Sequence, residues 1–432
     1  MTPDMKRRNL ILGAAVGAAG LLIEKKAYAF ENWQPPKRDA SVKPTDMDYW
    51  SWVQGLYEVN RSIANLENGY WGIMARPVLQ AYVENTERVN RDNTYYARGS
   101  FSKDFEAVRQ RVAKTVGADP DEISLTRGAT EALQVLIGGY NRLKEGDVVL
   151  YSDLDYDSMQ YAMNWLKDRR GVEVKAFAIP EPATKSSVME TYRKVLSETP
   201  KAKLLLLTHL SHRTGLVMPI RDIARMARER GVDVIIDAAH SWGQIDFNVK
   251  DLDADFVGFN LHKWIGAPVG VGFFYIRKDR LGDIDTHLAD EDWPGEDIRS
   301  RIHTGTLNFA AALTVPTAID LHESISAANK ESRLRYLRNY WVERIRPIQG
   351  IEILTPDDPA MHAGITSFRM RGKGSKGDND AIVATLRDSH RVLTVRRTGV
   401  ANGQCIRVSP ALYTKEAELD QLVTALTALP RS

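Results

Sequence analysis

Short apolar runs alternate with amphipathic stretches through the middle of the chain. The runs hold four to seven residues each and lie at 123–126, 148–151, 172–178, 204–208, 234–237, 256–260 and 272–276. Helical periodicity marks stretches before and between them, such as 102–116 and 220–230. Nearly continuous apolar strands separated by helices are typical of βαβ units, in which helices cover both faces of a parallel sheet. The pattern therefore predicts an α/β fold with a mostly parallel, seven-stranded sheet.

The pattern changes after residue 313. A charged helical stretch at 329–345 precedes strand-like runs at 351–354, 365–370 and 392–395, with a further helical stretch at 379–389. Short strands mixed with helices indicate a smaller α+β domain, so we predict a large domain at 65–313 and a C-terminal domain at 314–432. The segment 371–380 is rich in Gly, Lys and Asp and is predicted to be an exposed loop. The polar, proline-containing segment 30–64 is predicted to be an arm that packs with the small domain.

The first 29 residues have the features of an export signal. Lys6, Arg7 and Arg8 precede an apolar stretch at 10–23, and small residues at 27 and 29 offer a cleavage site after Ala29. The apolar stretch is shorter than the roughly 20 residues of a membrane-spanning helix. The paired arginines resemble a twin-arginine signal, which predicts a periplasmic protein that uses the twin-arginine export machinery. An ordinary secretory signal or an uncleaved anchor are the alternatives.

Composition and charge narrow the possible functions. The 432 residues are 43% hydrophobic and 26% charged, as in globular proteins. The predicted signal carries five basic and two acidic residues, so its removal leaves 53 basic against 54 acidic residues. This balance gives no indication of a nucleic-acid partner. One cysteine, Cys405, excludes an internal disulfide and a metal site built from several cysteines, and we predict no metal site.

Candidate chemistry begins where the first predicted strand meets a helix. The segment Gly128, Ala129 and Thr130 combines small residues with a helix start. Small residues let the backbone approach a ligand closely, and the free N–H groups of a helix N-terminus favour a phosphate. A plain helix start capped by Thr130 is the alternative.

Two later strands end in titratable side chains. The apolar run 234–237 ends in Asp237, whose carboxylate is suited to a protonated ring nitrogen, although a helix-capping role is an alternative. His262 and Lys263 follow the run 256–260 directly. Burial lowers the pKa of a lysine and makes it a usable amine nucleophile, whereas a surface turn would leave it solvated. Because ligands of open α/β sheets bind beyond the carboxyl ends of the strands, we expect these groups to share one site.

The order of these motifs resembles the class V aminotransferases. This fold-type I family depends on pyridoxal 5'-phosphate (PLP) and includes isopenicillin N epimerase-like proteins, kynureninases and cysteine desulfurases. Further matching segments lie at 68–72, 301–306 and 406–410, with Tyr413 after the last of them. The resemblance extends from about Asn65 to the C-terminus and implies a fold-type I PLP-dependent transferase.

The resemblance implies a role for each matching residue. Lys263 would hold PLP and move protons at the substrate carbon, and Asp237 would keep the ring nitrogen protonated. The phosphate would be bound by Gly128, Ala129 and Thr130 with help from His262, and Tyr156 would stack on the ring. His240 and His212 would lie near the ring oxygen, although His212 stands where an asparagine is common. The remaining implied residues are Thr306, which would reach the phosphate of a neighbouring subunit in a homodimer, and the substrate-binding Arg407 and Asn68.

The implied activity is catalysis at the amino-bearing carbon of an amino acid or peptide, by transamination, by epimerisation, or by a related decarboxylation or elimination. The combination of this family resemblance with a twin-arginine signal resembles the periplasmic PLP enzymes that tailor pyoverdine-type siderophores. A PLP-dependent carbon–sulfur lyase and a catalytically silent binding protein are the alternatives. Cysteine desulfurases need a cysteine in a mobile loop, and Cys405 instead lies in a predicted strand two residues before Arg407. The alternative for Arg407 is a structural role in that strand.

Overall fold

The computed structural model describes residues 41–288 and 291–429, so the predicted export signal lies outside the described residues. The α-helices in these ranges are α1 (Met47–Gly55), α2 (Arg76–Gly99), α3 (Phe101–Val116), α4 (Ala129–Gly139), α5 (Asp157–Arg170), α6 (Lys185–Ser197), α7 (Ile220–Arg228), α8 (Phe309–Ile325), α9 (Ala327–Ile345), α10 (Lys376–His390) and α11 (Glu416–Ala428). The strands are β1 (Ala64–Asn65), β2 (Ile123–Thr126), β3 (Val148–Ser152), β4 (Glu173–Phe177), β5 (Ala202–Thr208), β6 (Asp233–Asp237), β7 (Phe256–Asn260), β8 (Gly272–Ile276), β9 (Ile351–Ile353), β10 (Thr366–Met370), β11 (Val392–Leu393), β12 (Val395–Arg397) and β13 (Cys405–Val408). Within these ranges, no helix has the length and apolarity needed to cross a membrane.

The large sheet confirms the predicted seven-stranded α/β architecture. Its strand order is β2-β8-β7-β6-β5-β3-β4, and β8 alone runs antiparallel to its neighbours β2 and β7. The central strands β5, β6 and β7 pair in parallel, and every residue of β7 is buried. Such complete burial explains why these strands appear in the sequence as continuous apolar runs rather than alternating ones. Helix α4 packs on β7 and places its N-terminus at the carboxyl edge of the sheet.

The small antiparallel sheet has the order β12-β13-β10-β9 and packs against α9 and α11. Its core is built around aromatic and aliphatic side chains such as Trp341 and Phe368. The N-terminal segment joins this region, because β1 pairs in parallel with β11 and the Gln54 side chain donates to the Thr414 carbonyl. Helix α8 runs across the predicted domain boundary between residues 313 and 314.

The prediction of an exposed loop at 371–380 is wrong for the second half of that segment. Helix α10 begins at Lys376, inside the segment, because Ser375 and Asp378 cap each other's backbone N–H groups. This reciprocal capping satisfies two N–H groups that the helix itself leaves unpaired. The glycine and lysine content concealed the capping pattern.

Candidate active site

The loops that follow β2, β3, β5, β6 and β7 surround one cavity of about 490 Å³. Ten of the twelve predicted site residues line it, namely Gly128, Ala129, Thr130, Tyr156, His212, Asp237, His240, His262, Lys263 and Arg407. Residues from distant parts of the sequence thus meet at the carboxyl edge of the sheet, where ligands of open α/β folds bind. This cavity is the candidate active site.

Lys263 is held at the cavity wall three residues beyond the end of β7. Its Nζ lies 3.0 Å from His240 Nε2. Burial lowers the pKa of the Lys263 amine to about 8, while the Asp237 carboxylate acts in the opposite direction. An amine with this pKa is partly neutral near physiological pH and can act as a nucleophile or a base.

Asp237 ends the central strand β6 and is 4% exposed. One carboxylate oxygen accepts a hydrogen bond of 2.8 Å from the Ala239 N–H. Burial raises the pKa of Asp237, whereas the Ala239 N–H and the charge of Lys263 act in the opposite direction. A positively charged ligand atom within hydrogen-bond distance would stabilise a buried carboxylate of this kind.

Backbone groups at the start of α4 form a narrow part of the cavity. A Cβ at Gly128 would lie 3.1 Å from Asn260 Oδ1 and 3.2 Å from a ring carbon of His262. A Cβ at Gly272 would lie only 2.5 Å from the Gly128 Cα, so the two backbones require glycine to approach each other. The Ala129 N–H already donates to Asn260 Oδ1 at 2.7 Å, so Ala129 does not offer that group to a phosphate.

His262 faces the same end of the cavity. Its Nδ1 lies 3.0 Å from the Val271 carbonyl oxygen, which can only accept, so the proton of a neutral ring is on Nδ1. Burial lowers the pKa of His262 to about 4. Its Nε2 therefore accepts hydrogen bonds, and it would donate to a phosphate only if the anion's charge favoured protonation of the ring.

The rings of Tyr156, His212 and His240 lie next to one another in the cavity lining. The Tyr156 and His212 rings meet edge to face with centroids 5.1 Å apart, and the His212 and His240 rings stack 6.4 Å apart. His212 Nδ1 is buried without a hydrogen-bond partner among the described residues. Because His212 also lines the cavity, this nitrogen is available to a polar group of a ligand there.

Arg407 reaches the cavity from β13 of the small domain, and sequence analysis missed its partner Glu67. Arg407 Nη2 lies 2.5 and 2.8 Å from the two oxygens of Glu67, and its Nη1 donates to the His212 carbonyl at 2.9 Å. Arg397, also missed, lies 3.3 Å from Glu67. A Cβ at Gly69 would lie 2.5 Å from Arg407 Nη2. The only sequence signal for Glu67 is its place directly before the 68–72 motif.

Two predicted residues lie outside the cavity lining. Asn68 is buried, its amide donates to the Asn65 and Ser409 carbonyls, and its Oδ1 accepts from the Tyr413 hydroxyl at 2.7 Å. These hydrogen bonds use the polar atoms of the Asn68 side chain to hold neighbouring segments together. They do not support a substrate-binding role for Asn68. Thr306 is exposed, and its contact with a neighbouring subunit stays a prediction.

Cys405 is buried in β13, with its Sγ 3.7 Å from the Arg213 carbonyl, and it does not line the cavity. Burial raises the pKa of this thiol to about 11, so it carries little thiolate at neutral pH. In the ranges that the structure describes, no three His, Cys, Asp or Glu side chains are grouped to hold a metal ion.

The cavity fits PLP. The cavity holds the buried Asp237 carboxylate, a His212 nitrogen without a hydrogen-bond partner among the described residues, and a backbone at Gly128 where a Cβ would lie only 3.1 Å from Asn260 Oδ1. Lys263 would hold the cofactor covalently, Asp237 would pair with its ring nitrogen, and the N-terminus of α4 with Thr130 would bind its phosphate. When bound, PLP supplies an electron sink for charge that develops at the substrate carbon. The fold and the site together define a fold-type I, PLP-dependent enzyme.

The chain belongs to the class-V aminotransferase family, whose sequence profile matches residues 74–422. Isopenicillin N epimerase of Streptomyces clavuligerus is 26% identical over 400 residues, which cover 88% of this chain and 98% of that protein. A probable cysteine desulfurase of Methanothermobacter thermautotrophicus is 27% identical over 310 residues, which cover 68% of this chain and 74% of that protein.

Solved structures with the same fold include a cysteine desulfurase from Thermococcus onnurineus NA1. It matches with a TM-score of 0.74 and 20% identity over 90% of this chain and 98% of that chain. The cystine C–S lyase C-DES, in complex with cysteine persulfide, matches with a TM-score of 0.73 and 22% identity over 85% of this chain and 98% of that chain. These likenesses confirm the predicted fold.

Proposed function

We propose that the protein acts at the amino-bearing carbon of an amino acid or peptide, as an aminotransferase or an epimerase. The observation that carries the proposal is the Lys263 amine, 3.0 Å from His240 Nε2, in a cavity that Asp237 and Arg407 also line. An amine with a pKa of about 8 exchanges protons readily near neutral pH, which is what chemistry at an acidified carbon requires.

Arg407 is the group that would orient a substrate carboxylate. A guanidinium presents two parallel N–H groups that match a carboxylate, and in the described structure Glu67 takes up two contacts to one of its nitrogens. A substrate carboxylate must therefore share Arg407 with Glu67 or displace it. The choice between epimerisation and transamination depends on how the substrate is held, since both begin with loss of the same proton.

Carbon–sulfur bond cleavage is a second candidate, favoured by relatives named cysteine desulfurase and by structural neighbours that include a C–S lyase. The buried Cys405 thiol argues against a desulfurase that uses its own cysteine, but not against a lyase that needs none. Release of sulfide or pyruvate from sulfur amino acids would identify this reaction. A silent binding protein is disfavoured because both Lys263 and Asp237 are present.

We further propose that the enzyme works in the periplasm after twin-arginine export, with the side chains of pyoverdine-type siderophores as its substrates. The support is the basic and apolar pattern of residues 1–29 together with the family. Replacing Arg7 and Arg8 by lysine should retain the precursor in the cytoplasm, as measured by cell fractionation. Unchanged export would indicate the ordinary secretory route.

Incubation of the holoenzyme with candidate amino acids and peptides in heavy water tests the reaction directly. Mass spectrometry should find deuterium at the substrate carbon with nitrogen retained for an epimerase, or nitrogen lost for an aminotransferase. The Lys263→Ala variant is the control and should leave every substrate unlabelled. Loss of carbon dioxide or release of sulfide, without either of the first two outcomes, would refute the proposal.

A further inference from the structure

A line of three side chains, joined through four nitrogens, connects the loops after β6 and β7. The Trp264 indole Nε1–H donates to His240 Nδ1 at 3.3 Å, and His240 Nε2 lies 3.0 Å from Lys263 Nζ. His240 and Trp264 are 6% and 9% exposed, so water competes little for these bonds. The line ends on the amine that is central to the site.

The protonation state of this line follows from which groups can donate. An indole N–H donates and never accepts, so His240 Nδ1 must carry a lone pair. Burial holds the pKa of His240 well below its usual range, so the ring is neutral and carries a single proton. That proton is therefore on Nε2, the nitrogen that faces Lys263.

We propose that Trp264 is a positioning residue, which fixes the tautomer of His240 so that His240 Nε2–H donates a hydrogen bond to Lys263 Nζ. Only a neutral Lys263 amine can accept this hydrogen bond. A protonated Lys263 has N–H donors and no lone pair, so it could not accept a hydrogen bond from the His240 Nε2–H. The opposite tautomer would instead place Nδ1–H against the indole N–H, leaving a buried donor without a partner, which is unfavourable.

The backbone around Trp264 is held firmly enough for this role. The buried Lys330 donates from Nζ to the Trp264 carbonyl at 2.6 Å. A Cβ at Gly243, whose φ is 89°, would lie 2.7 Å from the Trp264 carbonyl carbon. On the other side, the His240 carbonyl accepts from Gln244 Nε2 at 2.8 Å. Both rings are therefore fixed through their own backbones.

Other charges also act on the Lys263 amine. Arg407 and Arg397 disfavour its protonated form, whereas Asp237 and Glu67 favour it. The neighbouring rings of His212 and His262 are neutral, because burial lowers the pKa of each. These groups are unchanged in a Trp264→Phe variant, so a difference between variant and wild type reports the indole N–H.

The tautomer is measured in the holoenzyme by 15N NMR of labelled histidine, with His240 assigned through a His240→Gln variant. We expect a protonated Nε2 and an unprotonated Nδ1 in the wild type. A protonated Nδ1 would overturn the proposal without any variant being needed. The result is independent of the reaction performed, so it can fail while the heavy-water result stands.

The effect on Lys263 is measured as the rate at which the PLP-free chain binds PLP covalently, followed by visible absorbance against pH. We expect the midpoint of this profile near pH 8 in the wild type and up to about one unit higher in Trp264→Phe, since one hydrogen bond is worth about that much. An unchanged midpoint together with an unchanged tautomer would overturn the proposal.

The matched control is Trp341→Phe. The Trp341 indole N–H is buried without a hydrogen-bond partner among the described residues, so its loss removes only indole packing. We expect no change in the His240 tautomer or in the midpoint. A shift in Trp341→Phe as large as that in Trp264→Phe would show that loss of packing is the cause and would contradict the role of the N–H.

Discussion

Lys263 and Arg407 are two of the cationic side chains that line the cavity, and their surroundings differ in kind. Lys263 has a neutral imidazole as its hydrogen-bond partner and is set in the large domain after β7. Arg407 comes from β13 of the small domain and has the carboxylate of Glu67 as its partner. A lysine in neutral, buried surroundings loses its proton readily, whereas a guanidinium keeps its charge in proteins.

The difference divides the site into a chemical end and a recognition end. Burial lowers the pKa of Lys263 to about 8, which makes its amine available for bond formation and proton transfer. The paired Arg407 offers a fixed charge with planar geometry, which suits orientation of an anionic group. Substitutions at the chemical end should therefore change turnover and cofactor attachment, whereas substitutions at the recognition end should change the binding of carboxylates.

The largest loss is expected from Lys263→Ala at the chemical end. The variant should lack covalently bound cofactor and lose at least about 10³-fold in turnover, because both the nucleophile and the proton carrier are gone. Turnover and visible absorbance measure the two effects. Lys278→Ala removes an exposed lysine outside the cavity and should behave as wild type. Substantial turnover by the Lys263→Ala enzyme would contradict the assignment of Lys263 to the chemical end of the site.

Asp237→Asn is expected to have the next largest effect. The isosteric amide removes a negative charge that a protonated ring nitrogen requires, and turnover should fall roughly 100-fold. Because the Asp237 carboxylate favours the protonated amine, its loss should also move the pKa of Lys263 further down. The pH profile of PLP binding checks the second effect, and a profile displaced upwards would contradict this electrostatic account.

Arg407→Lys tests the recognition end. The single point charge of lysine cannot reproduce two parallel contacts, so KM for carboxylate-bearing substrates should rise about 10- to 100-fold while turnover changes less. Steady-state kinetics separate the two constants. The control is Arg396→Lys on the preceding strand, whose partner is Asp380 outside the cavity. A fall in turnover with KM unchanged would show that Arg407 takes part in the chemistry rather than in substrate recognition.

The smallest effect is expected from Glu67→Gln. Removal of this charge leaves Arg407 and Arg397 without their shared carboxylate, so small carboxylates should bind about fivefold more tightly. Inhibition constants of simple monocarboxylates measure the change. Weaker binding would show that Glu67 chiefly keeps Arg407 in position rather than competing for it.

Sequence analysis predicted the strands of the large domain well because burial on both faces leaves a direct apolar signal. The bounds of β2, β7 and β8 agree with the predicted runs residue for residue. Helix α2 was missed, since only Pro77, Val78 and Tyr96 are buried along its 24 residues.

The site was predictable where a motif lies on one strand end, and not where two distant segments meet. Lys263 and Asp237 follow apolar strands and could be placed at one edge of the sheet. The pairing of Glu67 with Arg407 joins positions 340 residues apart, and no local pattern marks it. The same holds for the indole of Trp264, whose partner His240 is set by the packing of neighbouring loops.

Borohydride reduction of the holoenzyme, followed by peptide mapping, tests the central claim most directly. Reduction makes the bond between lysine and cofactor permanent, so mass spectrometry locates the modified residue. We expect the cofactor mass on the peptide that contains Lys263 and on no other. Among the residues that the structure describes, the other buried lysine with a lowered pKa is Lys330, at about 7, and a modified Lys330 with an unmodified Lys263 would contradict the account.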